Sequence, residues 1–177
     1  MPLIERALKA RNDRRGLLVR TRLKDGHHDI YARDDQGLDP AIRKRFESGE
    51  SELEMTPDGE IFMHAMVPPA RVLIIGATHI GQILAQLVTM AGDEVVVIDP
   101  RTAFATPERF PDVKLLAQWP DEALPPLNID RYTAFVALTH DPKIDDPALT
   151  HALSRDCFYI GALGSKKTHG RRVERLK

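Results

Sequence analysis

The sequence contains a single cysteine, Cys157, and no CxxC pair. This excludes a disulfide framework and a zinc site built on thiolates, and we expect the lone thiol, at the start of an apolar run, to be an inert core group. No apolar run approaches the ~20 residues that a membrane span requires, and the N-terminus lacks the apolar segment of a secretory signal. A net charge of −1 does not demand nucleic acid as a partner. We therefore expect a cytoplasmic protein that binds neither nucleic acid nor membrane.

Residues 1–67 predict a small, mostly antiparallel α+β unit. A helix is expected over residues 3–11, and a second one opens at Asp39-Pro40, because proline is favoured at the first helical position. GLLVRTRL and HHDIYARD flank an Asp25-Gly26 turn and predict a hairpin. SELEMT and EIFMHAMV predict another hairpin around a turn at residues 57–59.

Residues 68–177 predict a doubly wound, Rossmann-like parallel sheet. RVLIIG, EVVVID, KLLAQ, YTAFVALT and CFYIGAL are apolar runs typical of strands that are buried on both faces. Helical patterns fall between or after them at about 79–91, 145–154 and 166–177. The first of these helices carries four apolar residues on one side: Ile80, Leu84, Leu87 and Val88. The predicted fold class is α/β, with the small α+β unit preceding the Rossmann-like domain.

A glycine-containing turn follows the first predicted strand of this domain, at the sheet edge where α/β proteins bind their ligands. The segment from Gly76 to Gly81 approximates the dinucleotide fingerprint, but Thr78 stands where a second glycine would let a pyrophosphate approach the backbone. A strained backbone at this β-branched residue would cost a further ~1–2 kcal/mol. A standard NAD pose is therefore disfavoured, whereas a phosphate on the helix N-terminus stays possible. The alternative is that both glycines serve only the turn and helix packing.

Charged side chains follow two further strands. Asp99 is positioned either to bind an adenosine ribose or to cap a turn, and Arg101 beside it favours a phosphate. In THDPKIDD, we expect His140 to be a hydrogen-bonding or proton-transferring group, with metal ligation as the weaker alternative. Asp145 or Asp146 is expected to cap the next helix.

The segment GALGSKKT follows the last predicted strand and indicates anion binding, since glycines, a hydroxyl and two lysines stand at a helix start. It is not a Walker A loop, because the glycine and lysine spacing differs. Lysines that are merely solvated are the alternative. The candidate cofactor-binding residues are Gly76, Thr78, His79, Gly81, Asp99, Arg101, Thr139, His140, Asp141, Gly161, Gly164, Ser165, Lys166 and Lys167.

Four segments in order closely resemble the C-terminal domain of the xanthine dehydrogenase accessory factor (XdhC/CoxI) family over about residues 69–177: GATHIGQILAQL, VVVIDPRTAFATPERFPDV, FVALTHDPKIDDPAL and FYIGALGSKKTHGRRVERL. The resemblance implies a Rossmann-like domain, truncated at its C-terminus relative to the family, that acts in the maturation of molybdenum hydroxylases. Such factors bind molybdenum cofactor (molybdopterin or its dinucleotide form), protect it as chaperones, assist its sulfuration and pass it to the apo-enzyme.

The resemblance also implies partners: a molybdenum hydroxylase apo-enzyme, a cysteine desulfurase and a separate protein carrying the family's N-terminal domain. The Gly-Gly-Cys motif of that domain is absent from this sequence. A homodimer is compatible with the pattern.

Three functional hypotheses follow, and whether the chain is an enzyme stays open among them. The leading hypothesis is a factor that binds and inserts molybdenum cofactor without turnover chemistry. An NAD(P)-dependent oxidoreductase is supported by the fold and Asp99 but opposed by Thr78. A nucleotide-sensing module is the third.

Overall fold

The computed structural model describes residues 2–57 and 59–177. The chain divides into two compact units, the first ending at Pro68 and the second beginning at Pro69. Among the described residues, the helices are too short or too polar to cross a lipid bilayer.

The first unit is a four-stranded antiparallel sheet with two helices. Its strands have the order β2-β1-β4-β3. The predicted small α+β unit is confirmed, but Asp58 in the expected turn at 57–59 lies outside the described residues. The elements are α1 (Leu3–Asn12), β1 (Leu17–Arg22), β2 (His28–Ala32), α2 (Pro40–Ser48), β3 (Glu52–Thr56) and β4 (Gly59–Met66).

The core of the first unit follows from strand alternation. Ile61, Met63 and Ala65 are buried on one face of β4, while the residues between them are exposed. Phe46 of α2 packs against this face. The helix is fixed in place by its ends, because Asp39 caps its N-terminus as expected and the left-handed Gly49 ends it.

The second unit is a five-stranded parallel sheet of order β7-β6-β5-β8-β9. This confirms the predicted Rossmann-like domain, in which helical crossovers connect parallel strands. Its elements are β5 (Arg71–Ile75), α3 (His79–Met90), β6 (Glu94–Ile98), β7 (Lys114–Leu116), α4 (Pro120–Ala123), a 3₁₀ turn (Pro125–Leu127), β8 (Thr133–Ala137), α5 (Pro142–Leu153), β9 (Tyr159–Ala162) and α6 (Lys166–Leu176).

Both faces of the parallel sheet are covered. On one face, Leu73 and Ile75 of β5 pack with Ala148 of α5. On the other, Ile74 packs with Ala85 of α3 and Phe110. Alternate residues of the central strand thus enter two separate cores, which explains why its sequence is apolar throughout.

The buried face of α3 differs from the prediction. Gly81, Ala85 and Val88 face the sheet, whereas Ile80 and Leu87 are about half exposed. The helix approaches the sheet closely at Gly81, where a Cβ would lie 3.5 Å from Cγ2 of Ile74, so small residues occupy part of the contact line. Of the four apolar residues predicted on one side, Leu84 and Val88 lie toward the core, whereas Ile80 and Leu87 do not, so that part of the prediction is wrong.

Candidate functional site

The turn after β5 is built around Gly76, whose φ of +117° suits only glycine. A Cβ atom at this position would lie 2.8 Å from Cγ2 of Thr139 and 3.1 Å from its backbone nitrogen. A Cβ at Gly81 would lie 2.5 Å from the carbonyl oxygen of Gly76. Both glycines therefore allow close packing, the first against the end of β8 and the second between α3 and its own turn.

Thr78 occupies an unstrained position between these glycines. Its backbone is extended, with φ −79° and ψ 173°, so the expected backbone penalty for a β-branched residue does not arise, and that part of the sequence argument is wrong. Its Oγ1 accepts a hydrogen bond from the Gly81 amide at 3.1 Å and caps α3. One of the amides that would receive a phosphate is thus already satisfied by the protein.

Asp99, after β6, is fully buried and has four hydrogen bonds. Its carboxylate accepts from the Ala77 amide at 2.7 Å, from the Arg101 amide at 2.9 Å, and from Nε and Nη2 of Arg101 at 2.9 and 2.8 Å. A carboxylate has about four lone-pair sites. Asp99 therefore pins the glycine turn and Arg101, and a ribose hydroxyl would have to displace one of these donors.

The electrostatics of Asp99 follow from the same contacts. Burial on its own would raise the pKa, but the side chain of Arg101 and the backbone amides outweigh it and lower the pKa below its ordinary value. The hydrogen bond to Asp99 in turn raises the pKa of Arg101 despite partial burial, with further attraction from Asp99, Asp141 and Asp145. The guanidinium also lies 4.8 Å from the ring centroid of Phe104.

We expect the Asp99–Arg101 pair to stabilise the fold at neutral pH and to lose this stabilising effect in acid. The pKa of Asp99 is lower in the folded protein than in the unfolded chain. The stability that its carboxylate contributes is therefore complete above the unfolded pKa of ~3.9 and is lost as the pH falls through the folded pKa. In urea unfolding between about pH 3 and 7, the stability difference between wild type and Asp99→Asn should shrink on the acid side. A difference that stays constant across this range would contradict the pairing.

The end of β8 is organised by Asp145, which is 1% exposed. It accepts hydrogen bonds from the hydroxyl of Thr139 at 2.6 Å, from the Thr139 amide at 3.3 Å and from the His140 amide at 3.1 Å. His140 itself is exposed and has a positive φ of 62°. The bonds from the backbone to Asp145 hold this unusual conformation in place, and the imidazole faces outward.

The helix after β8 starts earlier than the sequence predicts. It begins at Pro142, and the capping residue is Asp141, whose carboxylate accepts from the Lys143 amide at 2.9 Å. The prediction that Asp145 or Asp146 caps it is therefore wrong. Proline at the first helical position explains the earlier start, and it places Asp145 one turn inside the helix, on its buried side.

Asp145 connects β8 to the C-terminal helix through Arg172, which is 4% exposed. Nη2 of Arg172 lies 3.2 Å from a carboxylate oxygen of Asp145 and donates also to the carbonyl of Leu163 at 3.3 Å. The neighbouring Asp146 binds Arg175 at the surface. Sequence reasoning missed the burial of Arg172, because a basic residue in a strongly charged helix is expected to be exposed to solvent. The only signal is its spacing, which places it on the same face of the helix as Ser165 and Thr168.

The segment after β9 contains the remaining candidates. Gly161 lies inside β9, where a Cβ would meet the ring of Tyr159 at 2.7 Å, so that glycine serves packing against the tyrosine. Ser165 caps α6 by accepting from the Thr168 amide at 3.2 Å. Lys166 and Lys167 are exposed in the first turn of α6. A hydroxyl cap and two cations thus stand together at this helix start.

These contacts form one continuous path along the carboxyl edge of the sheet, which we call the rim. It runs from Asp99 to the Gly76 turn, across Thr139 to Asp145, and through Arg172 to the segment after β9. The structure therefore brings the candidates from four loops together. His79 is exposed at the start of α3, and no contact links its side chain to this path among the described residues.

Arg109 is a further residue of the rim that sequence reasoning missed. Its Nη1 donates to the carbonyls of Ala77 at 2.9 Å and Phe104 at 2.7 Å, and its Nη2 donates to Gln82 at 2.9 Å. It ties the segment after β6 to the start of α3. No local sequence pattern signals this role, because the arginine lies in an irregular segment.

The lone thiol lies outside the rim path. Burial, followed by the nearby carboxylates of Asp130 and Asp156, raises the pKa of Cys157, which keeps it protonated at neutral pH.

Across residues 2–57 and 59–177, no three His, Cys, Asp or Glu side chains group so as to hold a metal ion.

The comparisons with known proteins agree with this architecture. The family model described as the XdhC Rossmann domain matches residues 72–177. A Bacillus subtilis protein described as a probable subunit of xanthine dehydrogenase is 30% identical over 106 residues, which are 59% of this chain and 32% of that protein. A crystal structure of a protein described as a xanthine dehydrogenase from Bacillus halodurans has a TM-score of 0.73 at 20% identity, over 98% of this chain and 55% of that one. The chain thus spans about a third of the length of the first relative and about half of the length of the second.

Proposed function

The chain belongs to the XdhC family through its Rossmann domain, and from this premise we propose that it is a maturation factor for molybdenum hydroxylases of the xanthine dehydrogenase type. It binds molybdenum cofactor at the rim and assists sulfuration and insertion of the cofactor. A role connected with xanthine dehydrogenase is supported by the name of the Bacillus subtilis relative. The family resemblance that the four sequence motifs carry is confirmed by the match over residues 72–177.

The observation that carries the proposal is the continuity of the rim. Four loops converge at the carboxyl edge of a parallel sheet, where ligands of this architecture bind. Lys166 and Lys167 supply positive charge along it, while Arg101 and Arg172 are paired with Asp99 and Asp145. Such an edge suits an elongated ligand with an anionic end and a polar ring system.

The residues present fit a phosphate-bearing cofactor. Two guanidinium nitrogens of Arg172 are buried without a hydrogen-bond partner, and two helix N-termini open onto the rim. When bound, the cofactor supplies the molybdenum chemistry. The chain's own residues bind its phosphate, while the exposed imidazole of His140 is available to contact the ring end. Cys157 is protonated and packed against the carbonyl of Ala152, which disfavours it as the sulfur donor, and a cysteine desulfurase is suited to that role.

An NAD(P)-dependent oxidoreductase is less well supported. Asp99, the residue that would bind a ribose, has all four acceptor sites filled by Ala77 and Arg101. A standard dinucleotide pose would require Arg101 to swing away from a buried carboxylate, which is costly.

We expect the double substitution of Lys166 and Lys167 by alanine to weaken molybdopterin binding about tenfold, equivalent to ~1.4 kcal/mol. The physical reason is the loss of two charge-assisted contacts to the phosphate. Anaerobic isothermal titration with purified molybdopterin measures the effect. The matched control is the double alanine variant of Lys24 and Lys44, two exposed lysines of the first unit that give the same change in net charge.

A cellular assay extends this test to function. Co-production of the chain with an apo-enzyme of the xanthine dehydrogenase type should raise the activity of that enzyme, and the rim variant should raise it less than the control does. If wild type binds no molybdopterin and leaves the activity of the apo-enzyme unchanged, the proposed function is refuted.

A further inference from the structure

The most unusual polar group of the second unit is the guanidinium of Arg172. Arginine has five N–H donors. Those of Nη2 reach Asp145 and the carbonyl of Leu163, but Nε and Nη1 are buried with no hydrogen-bond partner. Buried donors in folded proteins are nearly always satisfied, and an exception requires an explanation such as a ligand.

One of the two unsatisfied nitrogens, Nη1, lies beside the turn that opens α6. Nη1 lies 3.8 Å from the point where a Cβ of Gly164 would stand, and that point is 3.4 Å from Cβ and Cγ2 of Thr168. The missing side chain of Gly164 therefore leaves a one-carbon opening between Thr168 and Arg172. This opening adjoins the helix start, because Ser165 follows directly as the cap.

The first turn of α6 offers further donors for an anion. Its cap, Ser165, satisfies only the Thr168 amide, and the amides of Lys166 and Lys167 precede the first bond that the helix itself can make. Both residues are also cations. The positive end of the helix dipole adds to their attraction.

The turn that opens α3 has a similar cap but lacks the positive charge. Thr78 satisfies only the Gly81 amide, so the amides of His79 and Ile80 resemble those of Lys166 and Lys167, while the preceding Ala77 amide is donated to Asp99. The residues that open this helix, His79 and Ile80, carry no lysine or arginine charge. The glycines of this turn are accounted for by backbone packing.

We infer that the phosphate of the bound ligand is seated at the N-terminus of α6, over the buried guanidinium of Arg172, and not at the glycine turn of α3. The ligand class is a phosphate monoester or pyrophosphate. Lys166 and Lys167 bind it from the outside through amides and ammonium groups. Because Gly164 has no side chain, the phosphate lies close over the guanidinium, whose charge attracts it without direct contact to the buried Nη1. This assignment deepens the proposed function and rests on it for the identity of the ligand.

The test uses inorganic phosphate and pyrophosphate as probes of the full chain, followed by ¹H–¹⁵N NMR. We expect the amide signals of Lys166 and Lys167 and the Nε–H signal of Arg172 to shift on titration, while those of His79 and Ile80 stay in place. Shifts at His79 and Ile80 without shifts in α6, or no shift at either helix, overturn the inference.

A pair of glycine variants adds an independent test. Gly164→Ala places a methyl group in the opening and should weaken phosphate and pyrophosphate binding at least about tenfold. Gly170→Ala, within α6, places its methyl in open space and should bind as wild type does. Circular dichroism and thermal melting verify that both variants fold. Equal binding by the two variants overturns the inference.

Molybdopterin separates the two proposals. If it binds wild type and Gly164→Ala equally, the seat at α6 is refuted and the maturation role stands. If pyrophosphate shifts the α6 signals, but molybdopterin does not bind and the chain leaves the activity of the apo-enzyme unchanged, the anion seat stands and the maturation role is refuted.

Discussion

Replacing Asp145 by alanine is expected to lower the free energy of unfolding by about 3–5 kcal/mol. The carboxylate is almost completely buried and accepts from Thr139, His140 and Arg172. Its removal leaves the guanidinium of Arg172 as an unpaired charge away from solvent and removes the acceptor of the His140 amide. Urea unfolding followed by circular dichroism gives the difference.

The neighbouring residue provides a matched control for this prediction. Asp146 pairs with Arg175, but the arginine side chain is 40% exposed, and such surface pairs contribute about 0–1 kcal/mol. Asp146→Ala should therefore cost much less than Asp145→Ala. If the two variants lose the same stability, Asp145 is not the organising residue of the rim.

A double variant separates the contribution of the Asp145–Arg172 ion pair from that of the other hydrogen bonds to Asp145. Adding Arg172→Met to Asp145→Ala removes the unpaired charge and fills the space with an apolar side chain. We expect part of the lost stability to return, since buried ion pairs are often replaceable by hydrophobic residues. No recovery would mean that the bonds from Thr139 and His140 account for the whole effect.

Gly76→Ala is expected to lower the free energy of unfolding by about 2–6 kcal/mol. A φ of +117° is nearly closed to residues with a Cβ, at about 1–3 kcal/mol, and the new atom would lie 2.8 Å from Cγ2 and 3.1 Å from the nitrogen of Thr139. The added carbon must therefore push apart the ends of β5 and β8, at a typical cost of about 1–3 kcal/mol. Thermal or urea unfolding measures the loss.

Gly92 is the appropriate comparison for this substitution. It also has a positive φ, of 84°, but a Cβ there would meet nothing within 4 Å. Gly92→Ala should therefore show the backbone cost alone, about 1–2 kcal/mol. Adding Thr139→Ser to Gly76→Ala removes Cγ2 and should restore part of the difference. A Gly76 variant that is no less stable than the Gly92 variant would show that the turn tolerates a side chain.

The sequence predicts the fold well because its signals are local. Asp39-Pro40 opens a helix, and a short Asp25-Gly26 turn joins two strands, through contacts within a few residues. The continuous apolar run at 71–76 predicts a strand buried on both faces, because a parallel sheet covered by helices leaves no polar side. Each of these inferences needs no knowledge of distant residues.

The candidate site was predictable in position but not in detail. Strand ends share one edge of a parallel sheet, so the four loops could be expected to meet. The burial of Arg172 depends on Asp145, far away in the sequence, and charge alone marks both residues as solvated. The exposed Ile80 likewise reflects how closely α3 approaches the sheet, which hydrophobicity does not encode.

The topology of the second unit has a consequence for how the chain folds. Its central strand has no hairpin neighbour, and Leu73 pairs with Val96 on one side and with Phe135 on the other. During synthesis the ribosome must therefore add β8 before the central strand is flanked on both edges. Until then an apolar strand edge is open to non-native association. The hairpins β1–β2 and β3–β4 of the first unit pair residues close in sequence and form faster, so we expect the nascent chain to be most open to association while the stretch from β5 to β8 is being translated.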